Sequence, residues 1–400
     1  MQSDQSWWLC IFYFSDINMD TTGENIMIKK ELQFHSDGKF KIMQMADIQE
    51  IPSISPDTIL FLEAAVEKEK PDLIILTGDQ IKGYDPGFRG ENGRDKVRQV
   101  LQQILLPACK RNIPIAVTLG NHDEQAGLTD QEMSSLYMEF ENCITGHIDE
   151  EATFTFHIPI QSSHGGQTAL NLYLFNSQGD AKEGGYQPML SQQLTWYRHI
   201  RDELKEQNGQ YVPSLVFQHI PFAEFYHVLR RVHANAKGAI RAYRTHKNEY
   251  YVLNEEYVRP GGRLLEPPSI PDIDIGEYSA LSEKGDILGV FVGHDHKNNF
   301  VADYKGMQLG YTPSCGFNAY GPGTERAVRI FCFQEDQLSK YETYTVSYRE
   351  LLGKKVKKPL INYLYEHAPT TMDAFLTAAV RVIGVLLLIA AALTAFLFIH

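Results

Sequence analysis

Residues 115–123 read Ile-Ala-Val-Thr-Leu-Gly-Asn-His-Asp, an apolar run of strand length ending in a glycine turn that bears an amide, an imidazole and a carboxylate. The same construction recurs on both sides of it. Run 40–46 leads into Asp47-Ile48-Gln49, run 73–77 into Gly78-Asp79, run 214–218 into His219-Ile220-Pro221, and run 287–292 into Gly293-His294-Asp295-His296. A short apolar run closed by turn residues reads as a buried strand, and open α/β sheets place their chemistry at the carboxyl ends of such strands. Five motifs in order, each offering oxygen or imidazole nitrogen, point to divalent cations held along one sheet edge.

The segments between the runs read as helices. Residues 56–70 follow Ser55 as N-cap, with Pro56 at the first helical position. Residues 94–109 and 130–140 also read as helices, the second capped by Thr129 or Asp130 with acidic residues in its first turn. Strand alternating with helix means parallel strands covered by helices. The later half changes rhythm, with strands expected at 154–158, 169–175, 300–304, 307–311 and 328–334, a helix at 191–206, and a hairpin through Lys305-Gly306. Residues 244–286, with Gly261-Gly262 and several prolines, read as a lid or substrate-facing insertion.

At 400 residues and 43% hydrophobic, the chain can bury a large core. The net charge of −13 excludes a general binder of extended nucleic acid, which needs a basic face to displace counterions. The five cysteines are odd in number and scattered without CxxC spacing, which excludes a disulfide framework and a thiolate zinc site. Nothing in the sequence implies an obligate protein partner.

The ends differ from the middle. Residues 382–399 carry no charge, and with 378–381 they make about 20 residues, the length of a membrane span. The expectation is a transmembrane helix at 378–399 behind a linker at 346–377. Lys354, Lys355, Lys357 and Lys358 upstream then put the catalytic domain, 27–345, on the cytoplasmic face of the membrane. Residues 1–26 carry a brief aromatic stretch that is neither a signal peptide nor a regular strand. They are expected to be an unstructured or mis-started segment, with the working protein beginning at Met27.

Two divalent cations clamping a phosphoester need one shared carboxylate plus further ligands for each ion. Asp79, alone after its strand, suits the shared position, and Gly78 allows the sharp turn there. Asn121 can offer its amide oxygen, His122 can protonate a leaving group, and Asp123 can hold that imidazole. His294 and His296, two apart in an extended segment, project from one face and can each reach one ion. His219 adds another imidazole.

This ordered set resembles the calcineurin-like metallophosphoesterase superfamily, with its motifs D-x-H, G-D, G-N-H-[DE], H and G-H-x-H. Within it the chain is similar to the purple-acid-phosphatase-like branch, in a bacterial form with a C-terminal membrane span. The likeness covers residues 38 to about 335, and the 311–323 stretch looks like that branch's closing segment. It implies a four-layer α/β/β/α sandwich. It also implies one metal held by Asp47, Gln49, Asp79 and His296 and another by Asp79, Asn121, His219 and His294. A hydroxide between them would attack phosphorus, with His122 as general acid. The substrate would be a small phosphate mono- or diester. Alternatives are a nucleotide or phospholipid phosphodiesterase, or a non-catalytic scaffold with the same fold. Tyr186 and Tyr320 are candidates to line the substrate pocket. Two departures matter. Gln49 replaces the histidine of D-x-H, which favours Mn²⁺ or Fe over Zn²⁺ there, unless Gln49 only hydrogen-bonds a water on the metal. Lys82 stands where the purple enzymes carry a tyrosine, so no tyrosinate–iron colour is expected.

Overall fold

Alternation within single strands explains why two sheets pack face to face. In the strand Lys39–Met45, Phe40 and Ile42 enter one apolar cluster while Met43 and Met45 enter another. Leu73 and Ile75 part from Ile74 and Leu76 in the same way, as a period of two requires. The cluster holding Phe40, Ile42, Leu73 and Ile75 also takes in Leu172, Leu174, Leu215, Phe217 and Phe291, and it lies between the sheets. The two others lie beneath helices, one under Pro56–Glu69 and Gly93–Cys109, the other under Ser191–Asn208 and Glu277–Ser282. The layers therefore run helix, sheet, sheet, helix, a mixed α/β sandwich. This computed structural model describes residues 31–146 and 152–370, with scattered positions between 375 and 394.

The first sheet runs, in spatial order, Glu342–Ser347, Ala327–Gln334, Lys39–Met45, Leu73–Thr77, Ile115–Thr118 and Cys143–Ile144. The second runs Leu32–Gln33, Phe156–Gln161, Thr168–Phe175, Ser214–Gln218, Ile287–Val292, Met307–Tyr311 and Val301–Tyr304. The strands that precede the five motifs run parallel to one another within each sheet, so their carboxyl tips share an edge. The expected hairpin is present: Val301–Tyr304 pairs antiparallel with Met307–Tyr311 through Lys305 (φ 47°) and Gly306 (φ 89°). A three-stranded sheet of Ile240–Arg241, Tyr250–Leu253 and Leu229–Val232 has its middle strand inside the expected insertion and the other two before it.

Three expectations are corrected. The strand at 154–158 begins later, as Phe156–Gln161, because Phe154 takes a left-handed φ of 66° that no strand residue adopts. The stretch read as linker is folded through Ala368. Ser347 and Glu350 form a capping box for the helix Tyr348–Leu352, Tyr348 is buried, and Lys297 Nζ donates to the carbonyls of Glu366 (3.0 Å) and Ala368 (3.1 Å) beyond it. The membrane span, and the membrane location built on it, are overturned. A span needs about 20 residues in one helix, whereas the last helix lying wholly within the described residues, Pro359–Glu366, has 8. Among the described residues no helix is long and apolar enough to cross a membrane. Most of 378–399, like all of 1–26, lies outside the described residues.

Candidate metal centre

The strand tips meet where the two sheets adjoin, and the backbone there is strained. Asp47 (φ 52°), Gln49 (φ 41°), Asp79 (φ 55°) and His294 (φ 71°) all sit in the left-handed region, which costs of order 1–3 kcal/mol per residue. Neighbouring groups hold them there. Asp47 N–H donates to the Gly78 carbonyl (3.2 Å) and Gln49 N–H to the Asp79 carbonyl (2.8 Å), which extends the contact of the two strands past their ends. The glycines of the motifs allow this crowding. A Cβ on Gly120 would lie 2.3 Å from Asp79 Oδ1, and one on Gly293 would lie 2.7 Å from Asp47 Oδ2.

All seven expected ligands converge at this edge, and each is buried. Asp47, Asp79 and His296 place donor atoms within 4.8 Å of one another, a group that could hold a metal ion. His296 Nε2 is 3.3 Å from Asp47 Oδ1, and His219 Nε2 is 3.4 Å from Asp79 Oδ2. His219 Nε2 also lies 3.2 Å from His294 Nδ1. The imidazoles are aimed from behind. His219 Nδ1 faces the Thr77 carbonyl at 2.9 Å and His296 Nδ1 the Tyr320 carbonyl at 2.7 Å. A carbonyl only accepts, so Nδ1 carries hydrogen in both rings and Nε2 points inward.

A cation suits this donor set. Asp47 Oδ1, Gln49 Oε1, Asn121 Oδ1 and His294 Nε2 are buried without any hydrogen-bond partner among the described residues. Orphaned buried polar atoms cost about 1–3 kcal/mol each, and ones gathered at one place call for a ligand. The charges agree. Burial pushes the His219 imidazole down, but the Asp79 carboxylate outweighs it and lifts it to about 10. Burial works against ionising Asp79 as well, and the adjacent His219 and His122 overcome it, lowering its pKa. His294, desolvated and repelled by His219, is held well below the ordinary imidazole range. The centre thus binds a proton between imidazole and carboxylate where a divalent ion would serve both.

His122 stands at the edge of the centre, its side chain 27% exposed and its Nε2 3.9 Å from Asp79 Oδ2. Asp123 does not hold it, which corrects the expected pairing. The 120–123 turn closes through Asp123 N–H and the Gly120 carbonyl (3.2 Å), and it sends the Asp123 carboxylate inward. There it accepts from the backbone N–H groups of Asp79 (2.7 Å), Gly120 (2.9 Å) and Ile81 (3.1 Å), fixing the loop that presents Asp79. The partner of His122 Nδ1 is Gln125 Oε1, at 2.8 Å. Gln125 in turn donates to Asp180 Oδ2 at 2.6 Å. Sequence reading overlooked both residues, and the only signal was the glycine cluster Gly179, Gly184 and Gly185 that marks the Asp180 hairpin.

Tyr186 covers His294 edge-on, with ring centroids 4.3 Å apart, and stacks on Tyr243, just ahead of the insertion. Tyr320 lies flat on His296 at 4.1 Å and gives its hydroxyl to Glu266 Oε2 (3.0 Å), so it braces that imidazole.

The calcineurin-like phosphoesterase family profile matches residues 40–298, and the chain belongs to that family. Similar proteins include the probable inactive purple acid phosphatase 14 of Arabidopsis thaliana, 27% identical over 78% of this chain and 79% of that one. Phosphatase DCR2 of Saccharomyces cerevisiae is 26% identical over 76% of this chain and 53% of its own length. Among solved structures, a dimetal phosphatase from Danio rerio superposes with a TM-score of 0.47 at 13% identity, covering 77% of this chain and 99% of that one. The named relatives come from a plant and a yeast and lend the expected bacterial form no support.

Proposed function

We propose that this protein is a phosphoesterase that uses two divalent metal ions to hydrolyse small phosphate mono- or diesters. The observation that carries this reading is the set of buried, unpartnered atoms on Asp47, Gln49, Asn121 and His294, gathered around Asp79 beside a solvent-reaching His122. Asp47, Gln49, Asp79 and His296 would hold one ion, and Asp79, Asn121, His219 and His294 the other. Bound there, the ions would supply Lewis-acid polarisation of the phosphoryl oxygens and a water made acidic near neutral pH. The remaining work falls to the chain. His122 Nε2 donates a proton to the leaving oxygen as its bond to phosphorus breaks. Asp123 keeps the Asp79 loop rigid, and Tyr186 screens the His294 side of the centre from water.

A second reading is a scaffold of the same fold without catalysis. Two things favour it: the similar plant protein is called probable inactive, and the Gln49 amide nitrogen sits 2.7 Å from Asp79 Oδ2. The test is hydrolysis of para-nitrophenyl phosphate and its bis-ester by metal-stripped full-length protein titrated with Mn²⁺, Fe²⁺, Zn²⁺ and Mg²⁺, with binding followed by calorimetry. An enzyme gains turnover as metal is restored, and His122→Ala then loses it while retaining metal. Binding of two ions without turnover on either ester, under any metal, would leave the scaffold.

A further inference from the structure

The hairpin at 179–187 reaches both sides of the candidate centre. Gln187 N–H donates to the Gly179 carbonyl (3.0 Å), Asp180 and Tyr186 are bridge partners, and Arg244 packs under Gly184 and Gly185 while paired with Asp272 (2.9 Å). From this brace Tyr186 covers His294, and the Asp180 carboxylate extends to the His122 side. Asp180 Oδ1 accepts from Asn121 Nδ2 (3.2 Å) and Oδ2 accepts from Gln125 Nε2 (2.6 Å).

An ionised carboxylate only accepts, and an amide has a donor end and an acceptor end of nearly the same shape. Asp180 therefore sorts both amides. Gln125 must turn its nitrogen to Asp180 and its oxygen to His122 Nδ1, because the reverse would press two oxygens together at 2.6 Å. Asn121 must do likewise, which frees its Oδ1 from any hydrogen bond. Asn121 Nδ2 also comes within 3.4 Å of His122 Nδ1, but its short contact is with Asp180.

We propose that Asp180, acting through Gln125, is a positioning residue that fixes His122 as its Nδ1–H tautomer, so that only Nε2 exchanges a proton with substrate. The proposal rests on the phosphoesterase reading above for its consequence, though not for its geometry. As the P–O bond breaks, the Nε2 proton moves to the leaving oxygen, which departs as the alcohol. The imidazolium becomes neutral imidazole, still with Nδ1–H on Gln125 Oε1, and Nε2 is reprotonated by water. Without the relay, neutral His122 is free to carry its hydrogen on Nε2 and expose Nδ1, a form that must turn over before the next cycle.

Two measurements on the full chain test this. Nitrogen-15 NMR of histidine-labelled protein should show neutral His122 as the Nδ1–H tautomer in wild type and as a tautomer mixture in Asp180→Asn and Gln125→Leu. A wild-type Nε2–H tautomer, or one unchanged in both variants, overturns the relay whether or not the protein turns over. The second is turnover of aryl phosphates with leaving groups of rising pKa, at saturating metal. Gln125→Leu, which leaves the Asp180 contact with Asn121 in place, should match wild type within about threefold on para-nitrophenyl phosphate and fall about 100-fold behind on poor leaving groups, the lower range for a lost general acid. An equal loss across all leaving groups signifies a merely structural role and overturns the inference. Wild type that turns over none of the esters sinks the phosphoesterase reading instead, while the tautomer result still decides the relay.

Discussion

Gln49 Nε2 donates to Asp79 Oδ2 across 2.7 Å and lies 3.2 Å from His296 Nε2, so the amide occupies the space between two expected ligands of one ion. Its Oε1 is the orphan of the pair. Turning the amide over would bring Oε1 to within about 2.7 Å of the Asp79 carboxylate, tolerable only with a cation between them. As a ligand, Gln49 would have to give up this hydrogen bond, and it would be a harder donor than imidazole.

Replacing Gln49 with histidine should therefore tighten zinc more than manganese. The expected gain for Zn²⁺ is about 10-fold or more, on the scale of single-residue effects on metal affinity. Competitive titration with a chelator at fixed pH reads it directly. Equal affinities for Zn²⁺ in the two proteins would show that Gln49 does not touch the ion.

Gly120 carries a second prediction. Its φ is ordinary, yet an added Cβ would lie 2.3 Å from Asp79 Oδ1 and 2.6 Å from Asp79 N, so the constraint is closeness alone. Gly120→Ala should cost about 1–3 kcal/mol through overpacking and should lower bound metal per chain. Denaturant melts and elemental analysis check the two effects. A variant with wild-type stability and metal content is incompatible with Asp79 as the shared carboxylate.

How much of this was legible depends on distance along the chain. Strand tips followed by Asp, Gly-Asp or Gly-His-Asp-His declare themselves locally, because apolar runs and turn glycines are near neighbours in sequence. Asp123 was read as the partner of His122 because it is adjacent, but the closed 120–123 turn points successive side chains apart. Its replacement comes from Gln125, three residues on, and Asp180, 55 residues further, which no spacing rule connects. The end of the domain was misread for a similar reason. Lysines at 354–358 look like a solvated linker, whereas the anchor is Lys297, far upstream.

That anchor yields a third prediction. Lys297 is buried and its ammonium caps the carbonyls of Glu366 and Ala368, while its neighbour in space, the Tyr320 ring, stacks on His296. Charge-assisted hydrogen bonds contribute about 1.5–3 kcal/mol each, and a loss of 1.4 kcal/mol is tenfold in an equilibrium. Lys297→Met should speed amide exchange across 359–368 by at least about 10-fold while the strand Leu73–Thr77 stays protected. Hydrogen-exchange mass spectrometry gives both rates in one experiment. Unchanged protection at 359–368 would mean the helix is held by something other than this lysine.

The fourth concerns pH. Glu277 opens the helix Glu277–Ser282, is buried, and has an Oε1 without a hydrogen-bond partner among the described residues. Burial raises its carboxyl from 4.5 to about 8, despite a hydrogen bond with Gln218 that pulls the other way. Between those values the folded protein keeps the proton and the unfolded chain does not. Folding then binds a proton, and stability falls as pH rises, by up to about 1.4 kcal/mol per pH unit. Below the unfolded value both states are protonated and the term vanishes; above about 8 both are ionised and the loss is complete. Glu277→Gln removes the titration while keeping the shape. Urea melts should show the variant equal to wild type near pH 4 and progressively more stable up to pH 8.5, once the slope common to both proteins is subtracted. A stability difference that stays constant over that range would mean that Glu277 is ionised in the fold and held by a partner the carboxylate has found.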